Sequence, residues 1–235
     1  MLLSTKGDYM DSVRVIVLDF DNCIALDGAT GEGSDEIKDK AWFSVFSDIE
    51  QSLLHDVIED VKQRVLGGKG DRWDIIKHVL AHFGKDDSDE STKRRSEIFN
   101  DVVQSGIKGL PIWEDARKLM SSLSAVRPLY INTGTPREAA MHSLDALGLA
   151  PFFKGVYTRP GTKVANLRDI IAAENVPPSD LVFADDTHAA YEAANVVGCK
   201  FVGVHTKRNK LWQENAQPFP LIRSLHELPK LLGLE

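Results

Sequence analysis

The sequence predicts a doubly wound α/β fold: a parallel sheet covered by helices, with an α-helical insertion after its first strand. Three observations predict it. Short apolar runs at 13–18, 129–132, 155–157, 181–184 and 201–204 alternate with amphipathic stretches at 113–123, 137–147, 163–174 and 189–197. That is the rhythm of strands buried on both faces and joined by crossover helices. The segment 29–107 breaks the rhythm, having helical periodicity and no convincing strand. Finally, Val15-Ile16-Val17-Leu18 leads straight into Asp19-Phe20-Asp21, an apolar strand ending in two carboxylates two residues apart.

Each element follows in order. Successive strand side chains point to opposite faces, so Asp19 and Asp21 converge on one ligand only at or just past the end of strand 13–18. Three glycines between Gly28 and Gly33 read as a mobile connection into the insertion. Within it, helices are expected at 35–49, 53–65, 72–83 and 92–104, with turns at Gly67-Gly68-Lys69-Gly70 and Gly84-Lys85-Asp86-Asp87. Trp42, Phe43 and Phe46 read as the apolar core of that insertion. Gly109-Leu110-Pro111 marks the return to alternating strand and helix. The expected division is therefore 9–28 with 108–235 for the α/β core, and 29–107 for the helical insertion. After strand 129–132, Thr135-Pro136-Arg137-Glu138 reads as a helix start, with Thr135 as N-cap, Pro136 at the first helical position and Glu138 closing a capping box.

Composition narrows the function classes. A chain of 235 residues with 43% hydrophobic content can bury a good core. A formal net charge of −7 gives no support to nucleic-acid binding, which leaves small molecules as the expected partners. No apolar run reaches membrane-span length, and Met1-Leu2-Leu3 is followed at once by polar Ser4-Thr5-Lys6-Gly7-Asp8. Neither a membrane partner nor a signal peptide is expected, and a cytoplasmic location is the default. Cys23 and Cys199 lie on or beside core elements without a disulfide framework, so free buried thiols are expected.

Four segments together resemble the haloacid dehalogenase (HAD) superfamily. Asp19-Phe20-Asp21-Asn22-Cys23 resembles its nucleophile loop, with Cys23 where Thr or Val is usual. Leu129-Tyr130-Ile131-Asn132-Thr133-Gly134 resembles its second motif, an apolar strand ending in Thr or Ser. Lys163, in Arg159-Pro160-Gly161-Thr162-Lys163, is placed like the family's lysine at a helix start. Leu181-Val182-Phe183-Ala184-Asp185-Asp186 resembles the fourth motif, a strand delivering acids. One match would be weak, but four in the right order are not easily coincidental. The resemblance implies a Rossmann-like core, and it makes the insertion between the first and second motifs a helical, C1-type cap domain.

It also implies roles. Asp19 would be the nucleophile in phosphoryl transfer, and Asp21 the acid for the leaving alcohol and then the base for water. Thr133 and the amide of Gly134 would hold phosphate oxygens, and Lys163 would balance the gathered negative charge. Asp19 and Asp185, with the backbone carbonyl of Asp21, would hold Mg²⁺. The family usually carries a further acid four or five positions after Asp185, where this chain has Ala189 and Ala190. Asp186 is the expected substitute, as a ligand or from behind the ligands. His188 in the same loop either reaches substrate, faces solvent or caps a helix. The Gly67–Asp71 turn resembles a cap turn of several helical-cap members, which makes Arg72 and Lys69 candidates for contacting the leaving group. The implied activity is a Mg²⁺-dependent phosphatase of a small phosphorylated metabolite. A sugar phosphomutase is the alternative of like chemistry, and a non-catalytic HAD-fold binder that of a different class. The carboxylate at Asp21 argues against a dehalogenase, which needs no acid for its leaving group.

Overall fold

The computed structural model describes residues 10, 12–66, 72–207, 209, 212 and 217–234. The chain forms two compact units, one of Met1–Asp35 with Lys108–Glu235 and one of Glu36–Ile107.

The first unit is built on a six-stranded parallel sheet. Its strands are β1 (Val15–Leu18), β4 (Leu129–Pro136), β5 (Gly155–Arg159), β6 (Leu181–Asp185), β7 (Lys200–Val204) and β8 (Leu221–Ile222), in the order β5-β4-β1-β6-β7-β8. Every pairing is parallel: Ile16 faces Leu129 on one side and Val182 on the other. All four residues of β1 are buried, as the continuous apolar run requires of a central strand covered on both sides. Helices α5 (Trp113–Val126), α6 (Arg137–Ala146), α7 (Lys163–Glu174) and α8 (His188–Val197) supply the crossovers. Val15, Val17, Leu181 and Phe183 point to one face and pack with Leu167 and Ile170 of α7 and Ala190, Ala193 and Ala194 of α8. Ile16, Leu18, Val182 and Ala184 alternate to the other face and are fully buried there. The core is thus the doubly wound, Rossmann-like fold.

The chain runs outward from β1 to β4 and β5, then returns to β6 on the other side of β1. In such sheets ligands bind where the strand order reverses, outside the carboxyl ends. Here those ends carry Asp19, Thr133 and Asp185.

Two features differ from the sequence expectation. The connection at 28–33, where no strand is expected, carries a short ribbon, with β2 (Leu26–Asp27) antiparallel to β3 (Glu32–Gly33). Its turn is closed by the Asp27 side chain, which accepts from the Ala29 amide and the Thr30 hydroxyl, each at 2.9 Å. Gly31 takes the positive φ of 71° that the turn needs. Also, β4 continues to Pro136, so Thr135 lies in the strand and the N-cap of α6 is Pro136, with no side-chain capping bond. The predicted Thr135 cap is therefore overturned: its hydroxyl is bonded elsewhere.

The second unit is helical. α1 (Ser34–Val45) leads into it, followed by α2 (Gln51–Leu66), α3 (Arg72–His82) and α4 (Asp89–Lys108). Trp42 and Phe46 are buried, and the Trp42 ring centroid lies 4.5 Å from that of Phe99 on α4. Phe43 is half-buried. Among the described residues no helix is long and apolar enough to cross a membrane.

Candidate active site

The site is assembled at the carboxyl ends of β1, β4 and β6. The Asp19 amide donates to the Ala184 carbonyl at 2.9 Å, which continues the β1–β6 ladder and fixes where the first carboxylate emerges. The Asp19 side chain is buried, yet its Oδ1 accepts no hydrogen bond; Lys163 Nζ lies 3.7 Å away. An oxygen buried without a donor is costly unless a ligand serves it. Burial pushes the Asp19 carboxyl well above the usual carboxylate range; Lys163 opposes the shift, and Asp185, Asp21 and Asp186 add to it.

Past Asp19 the loop turns sharply. Asn22 adopts a left-handed φ of 53°, a conformation that Asn tolerates better than most residues. Its buried side chain then serves three partners. Nδ2 donates to Asp186 Oδ2 at 3.3 Å, while Oδ1 accepts from Ser34 Oγ at 3.3 Å and the Asp35 amide at 3.1 Å. Gly33 makes this approach possible, because a Cβ there would lie 2.7 Å from both Asn22 Oδ1 and the Ala25 carbonyl. Cys23, a free buried thiol like Cys199, donates to the Ala184 carbonyl at 3.4 Å. Burial and the neighbouring carboxylates raise its ionisation well above the ordinary thiol value, so it acts here as a neutral packing group.

Lys163 opens α7, whose N-cap Thr162 accepts from the Ala165 amide at 3.1 Å. Asn132 on β4 secures this start: its Nδ2 donates to the Lys163 carbonyl at 3.1 Å, and its Oδ1 accepts from Asn166 at 2.9 Å. The ammonium so placed bonds Asp185 Oδ2 and faces Asp19. Burial alone would lower its ionisation, but Asp19 and Asp185 reverse this and hold it above the ordinary lysine value. The other oxygen of Asp185 accepts from the Thr187 hydroxyl at 2.7 Å and the Thr187 amide at 2.8 Å, and Thr187 is also the N-cap of α8. Asp186 is held through Asn22 and, at its backbone carbonyl, by the Asn209 amide group. Burial, with Asp185 and Asp35, raises its carboxyl to about 7.

Carboxylate oxygens of Asp19, Asp185 and Asp186 lie within 4.8 Å of one another. Three carboxylates, one of them with an orphan oxygen, form an all-oxygen donor set suited to a hard divalent cation such as Mg²⁺. Asp186 thus stands with the cluster, whereas Ala189 and Ala190 offer no donor. Asp21 sits apart from that triad, half-buried, with its Oδ2 accepting from the Thr135 hydroxyl. Thr133 is buried, while Gly134 is exposed with nothing within 4 Å of the position its Cβ would take.

Of the remaining sequence candidates, Arg72 is the first residue of α3 in the helical unit. Its guanidinium donates to Asn100 and lies 4.7 Å over the Phe99 ring. Lys69 lies outside the described residues. His188 is exposed and pairs with Glu192 one turn on, at 3.5 Å. Sequence reasoning missed Asn22, Asn132, Thr135 and Thr187 as parts of the site. Thr187, directly after the acid pair and before a predicted helix, carried a readable capping signal; the other three gave none beyond residue type.

A parallel sheet with acids and a lysine at its switch point defines an α/β enzyme of the acid-cluster kind. A family model of haloacid dehalogenase-like hydrolases matches residues 13–198, so the chain belongs to that family of hydrolases. No curated protein matches its sequence. Among solved structures it is similar to YfnB of Bacillus subtilis, assigned as a HAD-hydrolase and solved bound to magnesium (TM-score 0.68, 18% identity, covering 94% of this chain and 99% of that one). It is similar also to a Thermotoga maritima protein assigned as a β-phosphoglucomutase (0.63, 17%, 94% and 98%). A third is the L-2-haloacid dehalogenase of Xanthobacter autotrophicus (0.62, 14%, 94% and 98%). At such identities these likenesses speak for the fold, and their differing activities leave the reaction to be argued from the site.

Proposed function

We propose that the chain is a Mg²⁺-dependent phosphohydrolase that cleaves a small phosphomonoester through an aspartyl phosphate on Asp19. The observation that carries the reading is the division of labour between two carboxylates. Asp19 is buried beside Lys163 with an oxygen that accepts no hydrogen bond, and Asp21, two residues on, is half-exposed and oriented by a hydroxyl.

In this reading the orphan oxygen of Asp19 attacks phosphorus, and the leaving oxygen takes a proton from Asp21. Asp21, now ionised, removes a proton from the water that attacks the acyl phosphate, releasing inorganic phosphate and restoring Asp19. Thr133 and the Gly134 amide receive the equatorial oxygens, and Lys163 offsets the charge that accumulates. Mg²⁺, held by Asp19, Asp185, Asp186 and the Asp21 carbonyl, would supply further charge stabilisation of the transferring group. Burial disfavours an ionised Asp19 in the metal-free protein, so cation and lysine together keep the nucleophile in its reactive form.

The helical unit is inserted between β1 and β4, that is, between the Asp19 and Thr133 segments. We assign it the part of a cap that selects the leaving group, with Arg72 and Lys69 as the residues for an anionic or hydroxylated one. The test is phosphate release from a panel of phosphomonoesters, with and without Mg²⁺, for the wild-type chain and Asp19→Asn. Release needing both metal and Asp19 is expected, with a loss of about 10³-fold or more in the variant. Metal-independent release, or release retained by Asp19→Asn, would overturn the reading.

A further inference from the structure

The Thr135 hydroxyl donates to Asp21 Oδ2, bridging the β1 loop and the end of β4. The Thr135 amide in turn donates to Thr133 Oγ1 at 3.3 Å. A hydroxyl has two acceptor lone pairs and one proton, so Thr133 accepts from the chain and keeps its own proton to give away. One residue therefore touches both the carboxylate proposed to move protons and the hydroxyl proposed to hold phosphate. It sits in extended backbone, half-buried, where β4 loses register with β5 between Asn132 and Pro136. There its hydroxyl meets the loop that follows β1.

We propose that Thr135 is the positioning residue of this site, fixing the Asp21 carboxylate for proton transfer and leaving the Thr133 proton directed at phosphate. The inference rests on the phosphohydrolase reading above. Donation to Oδ2 orients the Asp21 carboxylate, whose proton passes to the leaving group and is regained from water. Removing the donor takes this orienting bond from the carboxylate while leaving the nucleophile and the acid cluster in place. The loss should therefore depend on how much acid assistance the leaving group needs.

The experiment compares wild type, Thr135→Val and Thr135→Ser, all in Mg²⁺, on p-nitrophenyl phosphate and on glycerol phosphate. The nitrophenolate leaves without a proton, whereas the alkoxide requires one. We expect kcat/KM of Thr135→Val to fall about 10- to 100-fold on glycerol phosphate, part of what a general acid supplies, and only a few-fold on the nitrophenyl ester. Thr135→Ser, which keeps the hydroxyl, should recover both. An equal loss on both esters, or a Ser variant as impaired as Val, overturns the inference and makes Thr135 a packing residue. Unchanged turnover in Thr135→Val overturns it as well. Wild type that releases phosphate from neither ester overturns the inference together with the reading beneath it. Wild-type turnover with an unaffected Val variant overturns the inference alone.

Discussion

The two units treat the same residue types in opposite ways. In the helical unit, acids and bases meet at the surface in pairs. Asp48 accepts both ends of the Arg95 fork at 3.0 Å with Lys85 at 3.3 Å, and the Arg95 hydrogen bonds hold its carboxyl down at about 2. Lys62 bridges Asp39 and Glu59 at 3.2 and 2.8 Å. In the sheet unit, Asp19, Asp185 and Asp186 are buried together beside the Lys163 ammonium, and Asp19 and Asp186 are pushed up rather than down. Charge placed where water and partners are plentiful serves the fold at little cost. Charge crowded where both are scarce works against the fold, a cost that the proposed cation site accounts for.

The largest effect is expected at Lys163. Lys163→Met leaves two buried carboxylates without their cation and should destabilise the metal-free protein by about 3 kcal/mol. Urea denaturation measures this, and a change within about 0.5 kcal/mol would mean that the ammonium does not balance the cluster. The next effect is on pH. With a folded value near 7 and an ordinary value of 3.8, Asp186 stays protonated in the folded state over a range in which the unfolded chain has lost the proton. The folded state then binds more protons, so metal-free stability should fall as pH rises from about 4 to about 7, by a few kcal/mol at most. Thermal melts at pH 5 and 8 read this, and Mg²⁺ should add more stability at pH 8; equal melts would remove the crowding argument.

The smallest effect is in the helical unit. Asp48 has the opposite sign, its depressed value giving stability that is present above about pH 4 and lost as pH falls toward 2. Asp48 is 44% exposed, so solvent screens the pair, and Asp48→Asn should cost less than about 1 kcal/mol at pH 7. A larger loss would show that surface pairing in this unit is not cheap.

How much of this the sequence discloses depends on how local the cause is. β1 and β6 are legible because buried central strands are unbroken apolar runs, and Asp19, Lys163 and Asp185 because each closes a strand or opens a helix. The β2–β3 ribbon is not: its strands are two residues each, and the Asp27 side chain, rather than any periodicity, closes its turn. Thr135 misleads because Thr-Pro-x-Glu is a sound capping pattern, yet β4 extends through it and its hydroxyl meets a residue 114 positions away. Asn22 acquires its link to Asp186 across 164 positions, which no window along the chain contains. Local chemistry marks the acids and the lysine that gather at the strand ends, while the residues that bond to them are fixed by contacts that exist only once the sheet has formed.

In the proposed mechanism Asp19 carries the phosphoryl group. Rapid acid quenching of the Mg²⁺-loaded protein during turnover of its best phosphomonoester, followed by peptide mass spectrometry, tests it directly. One phosphoryl group is expected on the peptide containing Asp19 in the wild type, and none in Asp19→Asn. Turnover at full rate with that peptide unmodified at every quench time would contradict it.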